Sequence, residues 1–312
     1  MNQILNTLLL LLWAVSAMAQ SEFSTIDSFA QTARKSDFPS PDALAKALCK
    51  DLKNDRDKAR ILFSWIAENI RYDLNAVGKN GPDANSKKEY EAKLVKQVYR
   101  KGKGVCMHYA LLYKSMADAV GLECTFIGGH SKGSLRGGWA SHAWNAVKIQ
   151  GKWELLDVTW GAGYFDDDGK KFRQVFQPGF FLPSPRIFAL NHFPDDEKWQ
   201  LLEVPINKAT FKKQSAFSYG NPNEGITDSE PLGLPLTKNT DGKFELKLKM
   251  KKTPPIIKLV MGGREIDFEQ SESNGWTIFR FSASHGREIE IWGGKKTGRA
   301  IHTSLMGIFS VK

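Results

Sequence analysis

The chain has 312 residues, a formal net charge of +10 and 41% hydrophobic residues, among them 9 Trp and 19 Phe. This composition excludes a disordered or low-complexity chain and is sufficient for about two packed domains. Cys49, Cys106 and Cys124 are the only cysteines, an odd number that excludes a disulfide framework and leaves at least one thiol unpaired.

Residues Ile4 to Val15 are apolar except for Asn6 and Thr7, and Ser16-Ala17-Met18-Ala19-Gln20 follows. An apolar run of that length ahead of an Ala-x-Ala site predicts a signal peptide over 1–19, removed after Ala19. The run falls short of the roughly 18 uninterrupted apolar residues of a spanning helix. The mature protein is therefore expected to be periplasmic or secreted, with no stable membrane insertion after processing. The positive charge would suit an anionic envelope polymer, but the lysines are dispersed and no nucleic-acid motif accompanies them. In the densest run, Lys247, Lys249, Lys251 and Lys252 interleave with Leu246, Leu248 and Met250, the pattern of the wet face of a half-buried strand.

Ser40-Pro41-Asp42 opens a helical region in which Ala59, Leu62, Phe63, Ile66 and Ile70 recur at helical spacing and end near Arg71-Tyr72-Asp73. A polar loop over 75–88 precedes a helix expected from Glu89 to Tyr99. Gly102-Lys103-Gly104 breaks it, and a third helical run, Val105 to Val120, stops at Gly121. Strand signals then take over at Thr125 to Gly128, Ala143 to Ile149 and Trp153 to Thr159, with Gln150-Gly151 marking a hairpin between the last two. After a Pro/Asn/Gly-rich stretch at 220–235 come four strand-like runs, Phe244 to Met250, Ile256 to Met261, Trp276 to Ser282 and Arg287 to Trp292. The order predicts an α+β domain over 20–219, a linker over 220–235 and a small, separable β-sandwich over 236–312.

Cys106 follows Gly104-Val105 and opens an apolar helix. There the positive end of the helix dipole and the unsatisfied backbone N–H groups favour the thiolate, and the same groups can receive an oxyanion. His142 and Asp157 lie on the two hairpin strands. With a turn of even length Asp157 falls opposite Trp144 and His142 projects from the same face one pleat on, within bridging range; an odd-length loop would separate them. An imidazole oriented by the carboxylate could take the thiol proton. His130 and the Gly-rich stretch to Gly138 form either a lid or a connector, Cys124 reads as core, Trp65 as core or site wall, and Asp166-Asp167-Asp168-Gly169 as a solvated turn lacking the remaining ligands of a calcium loop. No zinc spacing, phosphate loop or nucleotide motif is present, so no metal and no cofactor are expected.

Gly104-Val105-Cys106-Met107-His108-Tyr109-Ala110, His142-Ala143-Trp144-Asn145-Ala146-Val147 and Asp157-Val158-Thr159-Trp160-Gly161-Ala162-Gly163 resemble the three blocks of the transglutaminase-like superfamily. Trp65-Ile66-Ala67-Glu68-Asn69-Ile70-Arg71-Tyr72-Asp73 upstream, with His192-Phe193-Pro194 and Trp199-Gln200-Leu201-Leu202 downstream, resembles its kyphoscoliosis-peptidase and cytokinesis-protein-like bacterial branch. The resemblance covers about Ala59 to Leu202. It implies a papain-like α+β fold with Cys106 as nucleophile, His142 as base and Asp157 as orienting acid. His108 stands where Gly is common, and no catalytic part is expected of it. The implied activity is acyl transfer on peptide or glutamine amide bonds of a protein or peptide substrate, with hydrolysis slightly favoured over cross-linking. The rival expectation is a non-catalytic envelope binding or scaffold protein on the same fold.

Overall fold

A computed structural model describes residues 23–311, except 80, 133–138, 166–170, 215, 218–225, 232, 234, 251, 284–287 and 299. The expected export segment, the Gly-rich stretch to Gly138 and Asp166-Asp167-Asp168-Gly169 lie outside the described residues.

The fold is α+β. Helices α1 (Ser24–Ala30), α2 (Pro41–Cys49), α3 (Asp55–Asn69), α4 (Lys87–Lys101) and α5 (Cys106–Ala119) come first, with the two-residue strands β1 (Arg71–Tyr72) and β2 (Lys103–Gly104) between them. Polar caps start α2, α3 and α4: Ser40 Oγ accepts from Ala43 N at 3.2 Å, the Asn54 side chain from Asp57 N at 2.7 Å and Ser86 Oγ from Glu89 N at 3.2 Å. Gly102 ends α4 in the left-handed conformation at φ 67°, where a side chain would be strained. Helix α3 is buried from Ala59 to Ala67, and its Phe63, Trp65 and Ile66 share a core with Tyr109, Leu112, Tyr113 and Met116 of α5. Trp65 lies within that core and donates to Ala33 O at 3.0 Å, so it is not a wall of the site.

Strands β3 (Cys124–Lys132), β4 (Trp139–Ile149) and β5 (Lys152–Leu156) follow. Helix α6 (Val158–Ala162), hairpin β6 (Gly163–Phe165) and β7 (Phe172–Gln174), helix α7 (Pro185–Phe188), strand β8 (His192–Pro194) and helix α8 (Lys208–Lys213) complete the region. The antiparallel sheet has the order β5-β4-β3-β8. Gln150 at φ 50° and Gly151 at φ 81° make a two-residue turn between β4 and β5, the primed geometry that matches strand twist. Ile149 therefore faces Lys152 and Asn145 faces Leu156, and the next position of that register sets Trp144 against Asp157. The strand expected to reach Thr159 stops at Leu156. Asp157 caps α6 instead, its Oδ1 accepting from Trp160 N at 3.0 Å, because a short acidic side chain that can bond the backbone three residues on competes with strand pairing.

The C-terminal part packs two antiparallel sheets around one core. One sheet runs β10 (Ile226–Glu230), β11 (Phe244–Met250), β15 (Trp276–Phe281), β14 (Phe268–Ser273). The other runs β13 (Arg264–Ile266), β12 (Ile256–Met261), β16 (Glu288–Thr297), β17 (Ala300–Ser310), β9 (Ala216–Phe217). Alternate residues Phe244, Leu246 and Leu248 face Leu259, Ile289, Ile291 and Phe309 in a common cluster. The stretch expected as a linker thus contains a paired strand, β10, whose Glu230 faces Lys247. Ile187 and Leu190, from the first region, are members of the same C-terminal core. No helix among the described residues is long and apolar enough to cross a membrane.

Candidate active site

Cys106 is the first residue of α5, behind the extended Val105 at φ −104°, ψ 177°. Three local features hold it there. Strands β1 and β2 pair in parallel with Tyr72 facing Gly104, and Asp73 N continues the ladder to Gly104 O at 2.9 Å. His108 reaches back so that its Nδ1 accepts from Val105 N at 3.3 Å, which makes it a cap of the helix. Gly104 must lack a side chain, because a Cβ there would lie 2.6 Å from His108 Cβ. Gly-Val-Cys-x-His is therefore a device for starting a helix at the thiol.

His142 projects from β4, and its Nε2 lies 2.6 Å from Asp157 Oδ2. The Cys106 side chain lies near enough to the His142 ring to act on its charge. With Nε2 engaged by the carboxylate, Nδ1 is the nitrogen left for the thiol. Burial by itself would hold the imidazolium down, but the Asp157 carboxylate and, after it, Cys106 overcome this and raise His142 to about 10. Asp157 is fully buried. Burial would raise its carboxyl, yet the charge of His142 and hydrogen bonds from His142 and His192 hold it below the usual carboxylate range.

The sequence did not single out His192 for the site. Its Nε2 lies 3.0 Å from the same Asp157 Oδ2. The ring stacks on Phe188 at 3.8 Å and 11° and touches Trp160 at 4.5 Å and Trp144 at 5.1 Å. Burial, reinforced by the charge of His142, pushes His192 down to about 4, so near neutral pH it is uncharged and donates to the carboxylate. Asp157 thus accepts from His142, His192 and Trp160 N, which fixes its orientation. Asn145, buried beside this cluster on β4, donates to Ala110 O at 3.0 Å and Thr125 O at 3.1 Å, tying the His142 strand to the Cys106 helix.

The donor atoms of His142, Asp157 and His192 lie within 4.8 Å of one another, a spacing open to a metal ion. At 2.6 Å, however, the His142–Asp157 gap is shorter than the roughly 3.3 Å between ligands that 2.0–2.1 Å metal bonds impose. The arrangement fits shared protons better than a shared cation. His130 stands on β3 with its ring 4.6 Å from Trp139 and its Nδ1 3.6 Å from Asp195. Cys49 and Cys124 are buried free thiols that burial pushes up, Cys49 to about 12.

Residues 42–158 match the Transglutaminase-like superfamily. The chain carries a transglutaminase-like domain. That match spans the segments bearing Cys106, His142 and Asp157. Human kyphoscoliosis peptidase is 28% identical over 251 residues, 78% of this chain and 36% of the relative. The mouse protein is 28% identical over 228 residues, 71% of this chain and 33% of the relative. The chain thus spans about a third of the length of these relatives. Among solved structures, the crystal structure of a TGase aligns with a TM-score of 0.30 and 16% identity, over 52% of this chain and 39% of that one.

Proposed function

We propose that this transglutaminase-like chain is an exported cysteine enzyme that transfers acyl groups from peptide or glutamine amide bonds. The observation that carries the reading is the buried His142–Asp157 contact of 2.6 Å beside a thiol at the first position of a helix. The Cys106 proton rests on His142 Nδ1, as the raised, charged imidazole requires, and the Cys106 thiolate attacks the amide carbonyl. The oxyanion is received by backbone N–H groups at the start of α5, which point that way without reorganisation. As the C–N bond breaks, His142 returns the proton to the departing amine and a thioester remains on Cys106. Water, deprotonated by His142, releases the acid and restores the thiolate; an amine in its place gives a new amide. Hydrolysis is slightly favoured, because an exported protein meets water at far higher concentration than any amine. The animal relatives named as peptidases are in keeping with peptide substrates.

In this reading residues 1–19 direct export, the C-terminal β-unit presents partners, and the excess positive charge is available to an anionic envelope polymer. The deciding experiment is alkylation by iodoacetamide, resolved by site with mass spectrometry, for the native protein and His142→Ala. Cys106 in the native protein is expected to react at least about tenfold faster than in the variant at pH 7. Equal rates, matching a free cysteine, would remove the enzymatic reading in favour of a scaffold.

A further inference from the structure

Strand β1, which pairs with the strand leading into α5, borders a cleft of about 310 Å³ lined by Arg71, Tyr72, Phe172 and Gln174. Tyr72 connects the cleft to the thiol: it pairs with Gly104, two residues before Cys106. Burial first, and then the charges of Cys106 and Asp157, hold its hydroxyl protonated. The aromatic wall is preformed. Tyr72 stacks on Phe172 at 5.3 Å and 25°, and Phe165 meets Tyr72 edge-on at 5.1 Å and 88°. Gln174 anchors this hairpin to the end of α3 by donating to the carbonyls of Ala67, Glu68 and Ile70 at 3.1, 2.9 and 3.3 Å.

Two features of the rim identify the occupant. A large apolar side chain remains open there: Phe165, which meets both Tyr72 and Phe172 edge-on, is 38% exposed. Solvent-facing aromatic surface of this kind marks binding surface. Arg71 also has no acidic partner among the described residues, whereas Asp73 is paired with Lys103 at 3.3 Å. An aromatic wall alone would accept a cation as readily as a ring. An unpaired guanidinium at the same cleft opposes the cation and favours a carboxylate.

Building on the reading of Cys106 as nucleophile, we infer that this cleft is the acyl-donor subsite and that it takes a peptide with an aromatic side chain beside an acidic residue, next to the attacked carbonyl. The ring packs against Tyr72, Phe165 and Phe172, the carboxylate pairs with Arg71, and the carbonyl is left over Cys106.

The test uses the full chain and peptide chloromethyl ketones that differ only in the residues flanking the electrophile: Phe-Asp, Gly-Asp, Phe-Lys and Lys-Lys. Each second-order rate of Cys106 labelling is divided by the iodoacetamide rate of the same protein. The Phe-Asp probe is expected to exceed Gly-Asp and Phe-Lys by about tenfold each, the selectivity that a single well-packed side chain or ion pair supplies. Phe172→Ala is expected to remove the advantage of Phe, and Arg71→Glu, at an exposed position, to reverse the preference between Asp and Lys. Equal normalised rates for all four probes, with fast iodoacetamide labelling that depends on His142, would overturn the subsite alone. Slow labelling independent of His142 would overturn the nucleophile, and the subsite with it.

Discussion

His192 Nε2 lies 3.0 Å from the same Asp157 oxygen that His142 Nε2 approaches to 2.6 Å. One carboxylate oxygen therefore serves two imidazoles of opposite electrostatic character. His142 is raised and carries charge, while His192 is depressed and neutral. The neutral ring donates without competing for the proton, and so fixes the carboxylate that fixes the base.

Substitution at His192 should separate these contributions. His192→Phe keeps the stack on Phe188 but removes the donor, and is expected to slow Cys106 alkylation by about 10–100-fold and to move its pH–rate profile. His192→Gln supplies an amide N–H and is expected to recover much of the loss. A purely structural part would make both variants alter thermal stability while leaving the pH profile of the folded protein unchanged.

Stability should be greatest near pH 6.5. The folded value of His192 is depressed to about 4 from 6.5, so between these values the unfolded chain binds the extra proton and stability falls as pH falls, by about 3 kcal/mol across the window. Depression of Asp157 adds a further loss at more acid pH. His142 has the opposite sign: its folded value is raised to about 10, so its contribution is complete below 6.5 and is lost as pH rises through 10. Urea unfolding from pH 4 to 10 should give a maximum in the middle, with a flatter acid limb in His192→Gln. A monotonic profile would contradict these shifts.

Gly104→Ala tests the start of the nucleophile helix. The new Cβ would meet His108 Cβ at 2.6 Å, and overpacking of this kind costs about 1–3 kcal/mol. The expected result is a lower urea midpoint together with slower Cys106 alkylation. The pair Gly104→Ala, His108→Gly should regain part of the stability by removing the Cβ that occupies the contested space. It should not regain all of it, because the cap on Val105 N is lost.

Local chemistry was legible in the sequence. Gly104 and Cys106 announce a helix start, Gly121 its end, and Gln150-Gly151 the two-residue turn whose register sets Asp157 beside the strand of His142. Long-range pairing was not. His192 reaches Asp157 because β8 joins the far side of β3, with Ser131 facing His192, and a three-residue strand has too little periodicity to reveal that. Ala300–Ser310, among the longest strands described, was missed because Ser304 and Gly307 interrupt its alternation and β16 supplies the pairing. The short helix after Asp157 was read as strand because Val158 and Thr159 favour strands, a preference that the Asp157 cap overrides.

Adjacent residues of α7 serve different regions: Ile187 belongs to the core of the C-terminal sheets, while Phe188 stacks on His192. Two regions that own a core jointly cannot melt independently without exposing it, so their unfolding is thermodynamically coupled. Calorimetry of the full chain should show a single endotherm rather than two. A peptide held in the cleft would raise the melting temperature of the sheets as much as that of the helices around Cys106.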